Sequence, residues 1–243
     1  MAQLYLHIGT HKTGSTAIQD FMYTHRAEFA ERGLVYPDLA MQGSGHHPFA
    51  WACGLRKKPR DEALLDSVCD HLDALFAGGA DKVVCSSEEF EFIPDISPLK
   101  KISERFSPKV ILYLRRQDDY LQAAYNQHVR MYELRYSGSV YQFAQKYQFL
   151  WKYDYLRLFN QWAEVFGAAN IIVRPYGTEH VKKDIVDDFL TTIDPVLSEG
   201  MREKFGSNQV NVSLPVQALP YLSYANGLPL SPRQHQQLMM SLA

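Results

Sequence analysis

One stretch near the start constrains the fold more than any other: Gly9-Thr10-His11-Lys12-Thr13-Gly14-Ser15-Thr16 joins a short apolar run to a helical pattern. The run, Gln3 to Ile8, carries Leu4, Tyr5, Leu6 and Ile8 and stops at Gly9, as a buried first strand does. From Ser15 the period changes. Ile18, Phe21, Met22 and Phe29 recur at helical spacing, with Gly33 at the expected helix stop. A loop between strand and helix offers backbone N–H groups and the positive end of a helix dipole, an arrangement that favours a phosphate-like anion.

The rest of the chain repeats the alternation. Leu34 to Tyr36 reads as a brief extended piece and Met41 to Pro48 as a loop. Leu64, Leu65, Val68, Leu72, Leu75 and Phe76 mark an amphipathic helix closed by Gly78 and Gly79. Strands follow at Val83 to Ser86, Lys109 to Leu114 and Ile171 to Arg174. Helical patterns fill Asp118 to Arg130, Val140 to Leu150, Tyr155 to Phe166 and Asp184 to Ile193. Strands separated by helices predict an α/β fold, a mostly parallel central sheet flanked by helices, with ligands at the carboxyl ends of the strands. Prolines 195, 215, 220, 229 and 232 divide residues 195–243, where two short helices are expected, Val216 to Ala225 and Pro232 to Leu242.

The 243 residues suit one α/β domain over 1–243. A net charge of -2 gives no whole-protein field to attract nucleic acid or an anionic membrane, so an anion site must be local. The three cysteines, Cys53, Cys69 and Cys85, are odd in number and lack CxxC spacing, which speaks against a disulfide framework and a zinc site; no metal ligands are assigned. No apolar run approaches the roughly 18 residues of a membrane span, and the start lacks a basic region before a long apolar stretch, so the expected location is cytoplasmic.

The loop nearly fits G-x-x-x-x-G-K-[ST], but Ser15 stands where the lysine belongs and Lys12 lies three residues earlier. A lysine inside the turn can reach across it to a phosphate. Gly14 permits close backbone approach, while Ser15 and Thr16 add hydroxyls. His11 adjoins Lys12 and can join the cradle. A solvated turn that merely caps a helix is the plainer alternative.

Two arginines, Arg115 and Arg116, leave the strand that ends at Leu114 and suit a phosphate monoester. An ion pair with Asp118 or Asp119 is the structural alternative. At the end of the Val83 to Ser86 strand stand Ser87, Glu88 and Glu89, on the same sheet edge as the loop. Glu88 is the first candidate for a general base. His46 and His47 are the others, since an imidazole titrates near neutrality. A glutamate there can instead cap the next helix or pair with Lys12.

The segment HIGTHKTGSTAIQ resembles the 5′-phosphosulfate loop of the sulfotransferase family, with Lys12-Thr13-Gly14-Ser15-Thr16 matching its K-[ST]-G-[ST]-[ST] core. The resemblance implies a nucleotide-kinase-like P-loop fold and 3′-phosphoadenosine 5′-phosphosulfate as cofactor. It places Lys12, Gly14, Ser15 and Thr16 on the 5′-phosphate, with Lys12 also on the leaving group, and Thr13 within the same cradle. Family members read the 3′-phosphate with an arginine at a strand end and a serine eight residues later. Arg115 takes the first position and Ala123 stands at the second, which removes a hydroxyl donor. Val173-Arg174-Pro175-Tyr176-Gly177 and Val186 to Leu190 are similar to the family's R-Y-E-D-L segment and following helix. The family's basic C-terminal loop is not evident, and the likeness runs from Leu4 to Ile193. The family also draws its catalytic His or Glu from the region of Glu88. It implies a hydroxyl acceptor, such as a carbohydrate or small metabolite.

Two rival functions differ in class. A kinase-like phosphotransferase would use ATP and magnesium, yet its lysine would sit at Ser15, and it needs an aspartate after an apolar strand where this chain has Ser-Ser-Glu or Arg-Arg. A non-catalytic nucleotide-binding protein would explain Ala123 and the divergent tail. The tyrosine-rich stretch with Tyr132, Tyr136, Tyr141, Tyr147, Trp151, Tyr153 and Tyr155 could stack on sugar rings or pack between helices; no site is assigned to it.

Overall fold

A computed structural model of the chain describes residues 2–55, 58–147, 150–178, 181, 184–205 and 216–242. These form two compact units, Met1–Arg115 with Asp154–Gln209, and Arg116–Tyr153 with Val210–Ala243.

The first unit is built on side-chain alternation. In β1 (Gln3–His7), Leu4 and Leu6 face one side, continued by Ile8, while Tyr5 and His7 face the other. β3 (Lys82–Ser86) sends Val83 and Cys85 to the first side and Val84 to the second. β4 (Lys109–Arg115) likewise divides Val110 and Leu112 from Ile111 and Tyr113. With β2 (Leu34–Val35) and β5 (Ile171–Tyr176) at the edges, the order is β2-β3-β1-β4-β5 and every pairing is parallel. The sheet is buried on both faces, as its apolar strands require. Because β1 lies centrally between β3 and β4, the chain leaves it in both directions, which opens a crevice at the carboxyl ends of these strands.

On one face lie α3 (His47–Trp51), α4 (Glu62–Ala77), α5 (Lys100–Phe106) and α8 (Tyr155–Phe166). α4 buries Leu65, Val68, Cys69 and Leu72, one stripe at helical spacing, and Asp61 caps it by accepting from the Leu64 N–H at 2.9 Å. On the other face, α1 (Ser15–Thr24) and α2 (Arg26–Ala30) are separate helices broken at His25, where one run was expected. α9 (Ile185–Ile193) and α10 (Pro195–Phe205) complete that layer. α10 begins at a proline read as a breaker. Pro at a first helical position loses no hydrogen bond, and Asp194 caps the start by accepting from Val196 and Leu197 N–H at 3.0 and 3.1 Å. α3 and α5 are further short helices beyond the expected set.

Arg174, within the β5 resemblance segment, serves the fold. Its guanidinium clasps Asp188 of α9, whose Oδ2 also accepts from the buried Tyr113 hydroxyl at 2.6 Å. The Asp188 side chain is fully buried. Asp188→Ala is expected to cost about 1–3 kcal/mol, chiefly because it removes the acceptor of the buried tyrosine hydroxyl, while solvent screens the partly exposed Arg174. Urea denaturation measures this, with Asp188→Asn expected to recover part of the loss.

In the second unit, α6 (Gln117–Arg130), α7 (Val140–Tyr147) and α11 (Leu219–Ala225) share a core of Ala124, Tyr125, Val129, Phe143, Leu219 and Leu222. α12 (Pro232–Leu242) adds Leu238, Met239 and Leu242. Polar clasps tie the tail down: Arg135 donates to the carbonyls of Asn226 and Leu230, and Asn226 Nδ2 donates to those of Val129 and Tyr136. Tyr136 and Tyr147 pack edge-on or tilted against Phe143, so this part of the tyrosine-rich stretch is helix packing. Both expected tail helices form. Residues 206–215 of the tail, and residues 148–149 at the end of the expected Val140 to Leu150 helix, lie outside the described residues.

Among the described residues no helix is long and apolar enough to cross a membrane. Cys53, Cys69 and Cys85 are free and buried, and burial pushes the Cys53 and Cys85 thiols up to about 12, so both stay protonated.

Candidate active site

The turn after β1 is pinned to β4. Tyr113 N–H donates to Gly9 O at 2.7 Å, and Thr10 N–H and Oγ1 both donate to Tyr113 O, at 2.9 and 3.1 Å. Thr13, fully buried, closes the turn by donating to Thr10 O, so its hydroxyl is committed within the loop. Lys12 is held at φ 65, a backbone region costly for a residue with a side chain. Arg115 braces that position by donating to Lys12 O at 3.0 Å. Gly14 sits at φ 80 where α1 begins, and a Cβ there would come within 3.2 Å of Ile185. Having no side chain, Gly14 caps nothing, so the first turn of α1 has no side-chain cap. That geometry suits an anion on the N–H groups of Ser15 and Thr16.

Glu88 stands beside this turn. A Cβ on Gly9, at φ 89, would lie 3.0 Å from both Cα and Cβ of Glu88, so glycine is required for the approach. Ser87 caps the 3₁₀ turn Glu88–Phe92 by accepting from Glu89 N–H at 3.2 Å, which presents three glutamates to the loop. Glu88 Oε2 accepts from Gln19 Nε2 at 2.7 Å and lies 4.0 Å from His47 Nδ1. Burial would raise this carboxyl, but the Gln19 hydrogen bond and the nearby His11 and His47 outweigh it and hold it below its ordinary value. Glu88 is therefore ionised at neutral pH and able to accept a proton.

The two neighbouring histidines separate. His46 is fully buried; its Nδ1 accepts from Ser86 N–H at 3.1 Å and its Nε2 donates to Pro37 O at 3.0 Å. With both nitrogens committed, and burial lowering it to about 4, His46 is a structural tie between β3 and the preceding loop. His47 is partly exposed, with Nδ1 2.8 Å from Ser87 Oγ and its ring stacked on Trp51.

Glu89 and Glu91, not singled out in sequence, organise the loop. Glu91 Oε2 accepts from His11 N–H at 2.9 Å and contacts His11 Nδ1 at 2.7 Å, while Trp51 Nε1 donates to Glu89 at 2.9 Å. Ser-Ser-Glu-Glu-Phe-Glu carries the signal that could have found them, a serine cap followed by acids in the first turn. Burial alone would lower His11, but the Glu89 and Glu91 carboxylates, with Glu88 beyond, push it up to about 9. His11 is thus a cation at neutral pH, set inside the loop.

That shift has a stability signature. A raised folded-state value means the contribution is fully present below about 6.5 and lost as pH rises through about 9. Thermal melts of the wild type minus those of His11→Gln, taken from pH 6 to 10, should show an advantage on the order of 1–2 kcal/mol disappearing across that window.

The arginine pair also divides. Arg115 turns to the loop, and Tyr155 Oη donates to its carbonyl at 2.6 Å. Arg116 is ion-paired with Asp118, the structural alternative raised by the sequence. Ala123 lies in α6 of the second unit.

The strand order and the turn after β1 put the chain in the class of P-loop-like α/β folds. No family model matches the sequence. An uncharacterized protein of Archaeoglobus fulgidus is 30% identical over 129 residues, covering 52% of this chain; the match spans about a third, 34%, of that relative's length. The solved structure of a sulfotransferase from Alicyclobacillus acidocaldarius is similar over 100% of this chain and 92% of its own, at 17% identity and a TM-score of 0.45.

Proposed function

We propose that the protein is a sulfotransferase that moves a sulfuryl group from 3′-phosphoadenosine 5′-phosphosulfate to a hydroxyl on a carbohydrate or small metabolite. One observation carries this reading: a glutamate held below its ordinary value is packed against the first glycine of the turn between β1 and α1, and the lysine of that turn lies inside it. The residues fit such a donor. The first turn of α1 has no side-chain cap, and Lys12, Ser15 and Thr16 supply a charge and hydroxyls to a 5′-phosphate. Thr13 contributes through its backbone, and His11 adds a positive charge. Arg115 is the candidate for the 3′-phosphate; a guanidinium has five N–H donors, and the bond to Lys12 uses one.

When bound, the donor supplies the sulfuryl group and takes the electron pair of the bond broken at its 5′-phosphate. Glu88 accepts the proton of the attacking hydroxyl, and Lys12 with the α1 N–H groups stabilises the charge on the departing phosphate. His47, with Nδ1 4.0 Å from Glu88 Oε2, is the alternative base.

Calorimetric titration with adenosine 3′,5′-bisphosphate, beside ADP with and without magnesium, tests the reading. A magnesium-independent preference for the bisphosphate supports it. A magnesium-dependent preference for ADP overturns it in favour of phosphoryl transfer, and binding of neither nucleotide overturns both.

A further inference from the structure

Gln19 sits one turn into α1, the helix that the anion-binding turn leads into, and it is buried. Its Nε2 reaches two groups at the end of β3: Glu88 Oε2 at 2.7 Å and Ser86 Oγ at 3.3 Å. An ionised carboxylate can only accept, so the amide nitrogen, not its oxygen, must face Glu88. Ser86 Oγ continues the chain to His7 Nδ1 at 2.7 Å in β1. Burial lowers His7 to about 4, so this end of the chain stays neutral and adds no competing charge. Space for the amide depends on Gly45, where a Cβ would stand 3.0 Å from Gln19 Oε1 and 2.7 Å from His47 Nε2.

We propose that Gln19 is the positioning residue for Glu88, fixing its carboxylate against the Gly9 turn from the same helix whose N-terminus forms the anion site. The inference deepens the reading of Glu88 as the base and rests on it for its catalytic meaning. Loop and base are thereby carried by one rigid element, so an anion that seats on α1 meets a carboxylate already aimed. The other titratable groups acting on Glu88 are His47 from α3, His11 from the loop, His7 from β1 and Tyr36 after β2. Gln19 is a neutral side-chain donor at hydrogen-bond distance, so it orients the carboxylate without adding a proton-binding group.

The test follows the Glu88 side-chain carboxyl by ¹³C NMR as pH is lowered, in the wild type, Gln19→Met and Gln19→Asn. The expected result is a midpoint higher by about one pH unit in Gln19→Met, with a smaller rise in Gln19→Asn, whose shorter amide reaches less well. The affinity for adenosine 3′,5′-bisphosphate should change less than about threefold, since no group on the anion is removed. If the methionine variant fails to fold, the asparagine variant decides alone. An unchanged Glu88 midpoint in a folded variant overturns the role of Gln19. Failure of the base assignment shows separately, as sulfuryl transfer that survives Glu88→Gln.

Discussion

Lys12→Ala is expected to weaken binding of adenosine 3′,5′-bisphosphate by about 100-fold, the loss of a charge-assisted contact worth roughly 2–3 kcal/mol, while leaving the fold intact. The separation of these effects follows from the turn. Position 12 has its backbone at φ 65 and a carbonyl that accepts from Arg115, and alanine supplies that carbonyl equally well. The turn itself is held by Gly9, Thr10 and Thr13 bonds that do not involve the lysine side chain. Lys12→Gly sharpens the test. A left-handed backbone costs a residue with a Cβ about 1–2 kcal/mol that glycine avoids, so this variant should be at least as stable as Lys12→Ala yet bind no better. Calorimetry and urea denaturation on the same samples read both quantities. Unchanged affinity in either variant would remove Lys12 from the site, and with it the main reason for reading the turn as a phosphosulfate cradle.

What was legible in the sequence was whatever periodicity and punctuation encode locally. Leu4, Leu6 and Ile8, stopping at Gly9, announced the central strand, and the change of period at Ser15 announced the helix after the turn. Both are short-range patterns enforced by burial on two faces. The divided helix at His25, and α10 starting at Pro195, were not legible, because caps and a proline at a first helical position look like interruptions without their partners. In the site, Lys12 and Glu88 could be placed because each follows a recognisable strand. Glu91 and Gln19 could not. Glu91 acts on a loop 80 residues away, and Gln19 on a carboxylate 69 residues away, so neither contact leaves a mark at local spacing. His46 and His47 illustrate the same limit: adjacent and chemically identical in sequence, they part only once one of them is buried between Ser86 of β3, which donates to its Nδ1, and Pro37, whose carbonyl accepts from its Nε2.

Glu88→Gln is expected to lower kcat for sulfuryl transfer by about 10²–10⁴-fold with little change in affinity for adenosine 3′,5′-bisphosphate. The amide preserves the shape that fits beside Gly9 and removes the negative charge together with the capacity to take a proton. The pH profile identifies the base more closely than the size of the loss. Glu88 is held below the ordinary glutamate value, so its proton-accepting form persists as pH falls through neutrality and is depleted only below that ordinary value. The acid limb of kcat/KM in the wild type should therefore lie there, with activity flat between it and neutrality. A limb near about 6.5, where an imidazole titrates, would hand the role to a histidine and overturn the assignment. Glu88→Gln must also abolish whatever limb the wild type shows in the carboxylate range. If transfer persists in that variant with the limb unmoved, the glutamate against the turn is a structural brace, and the base lies elsewhere.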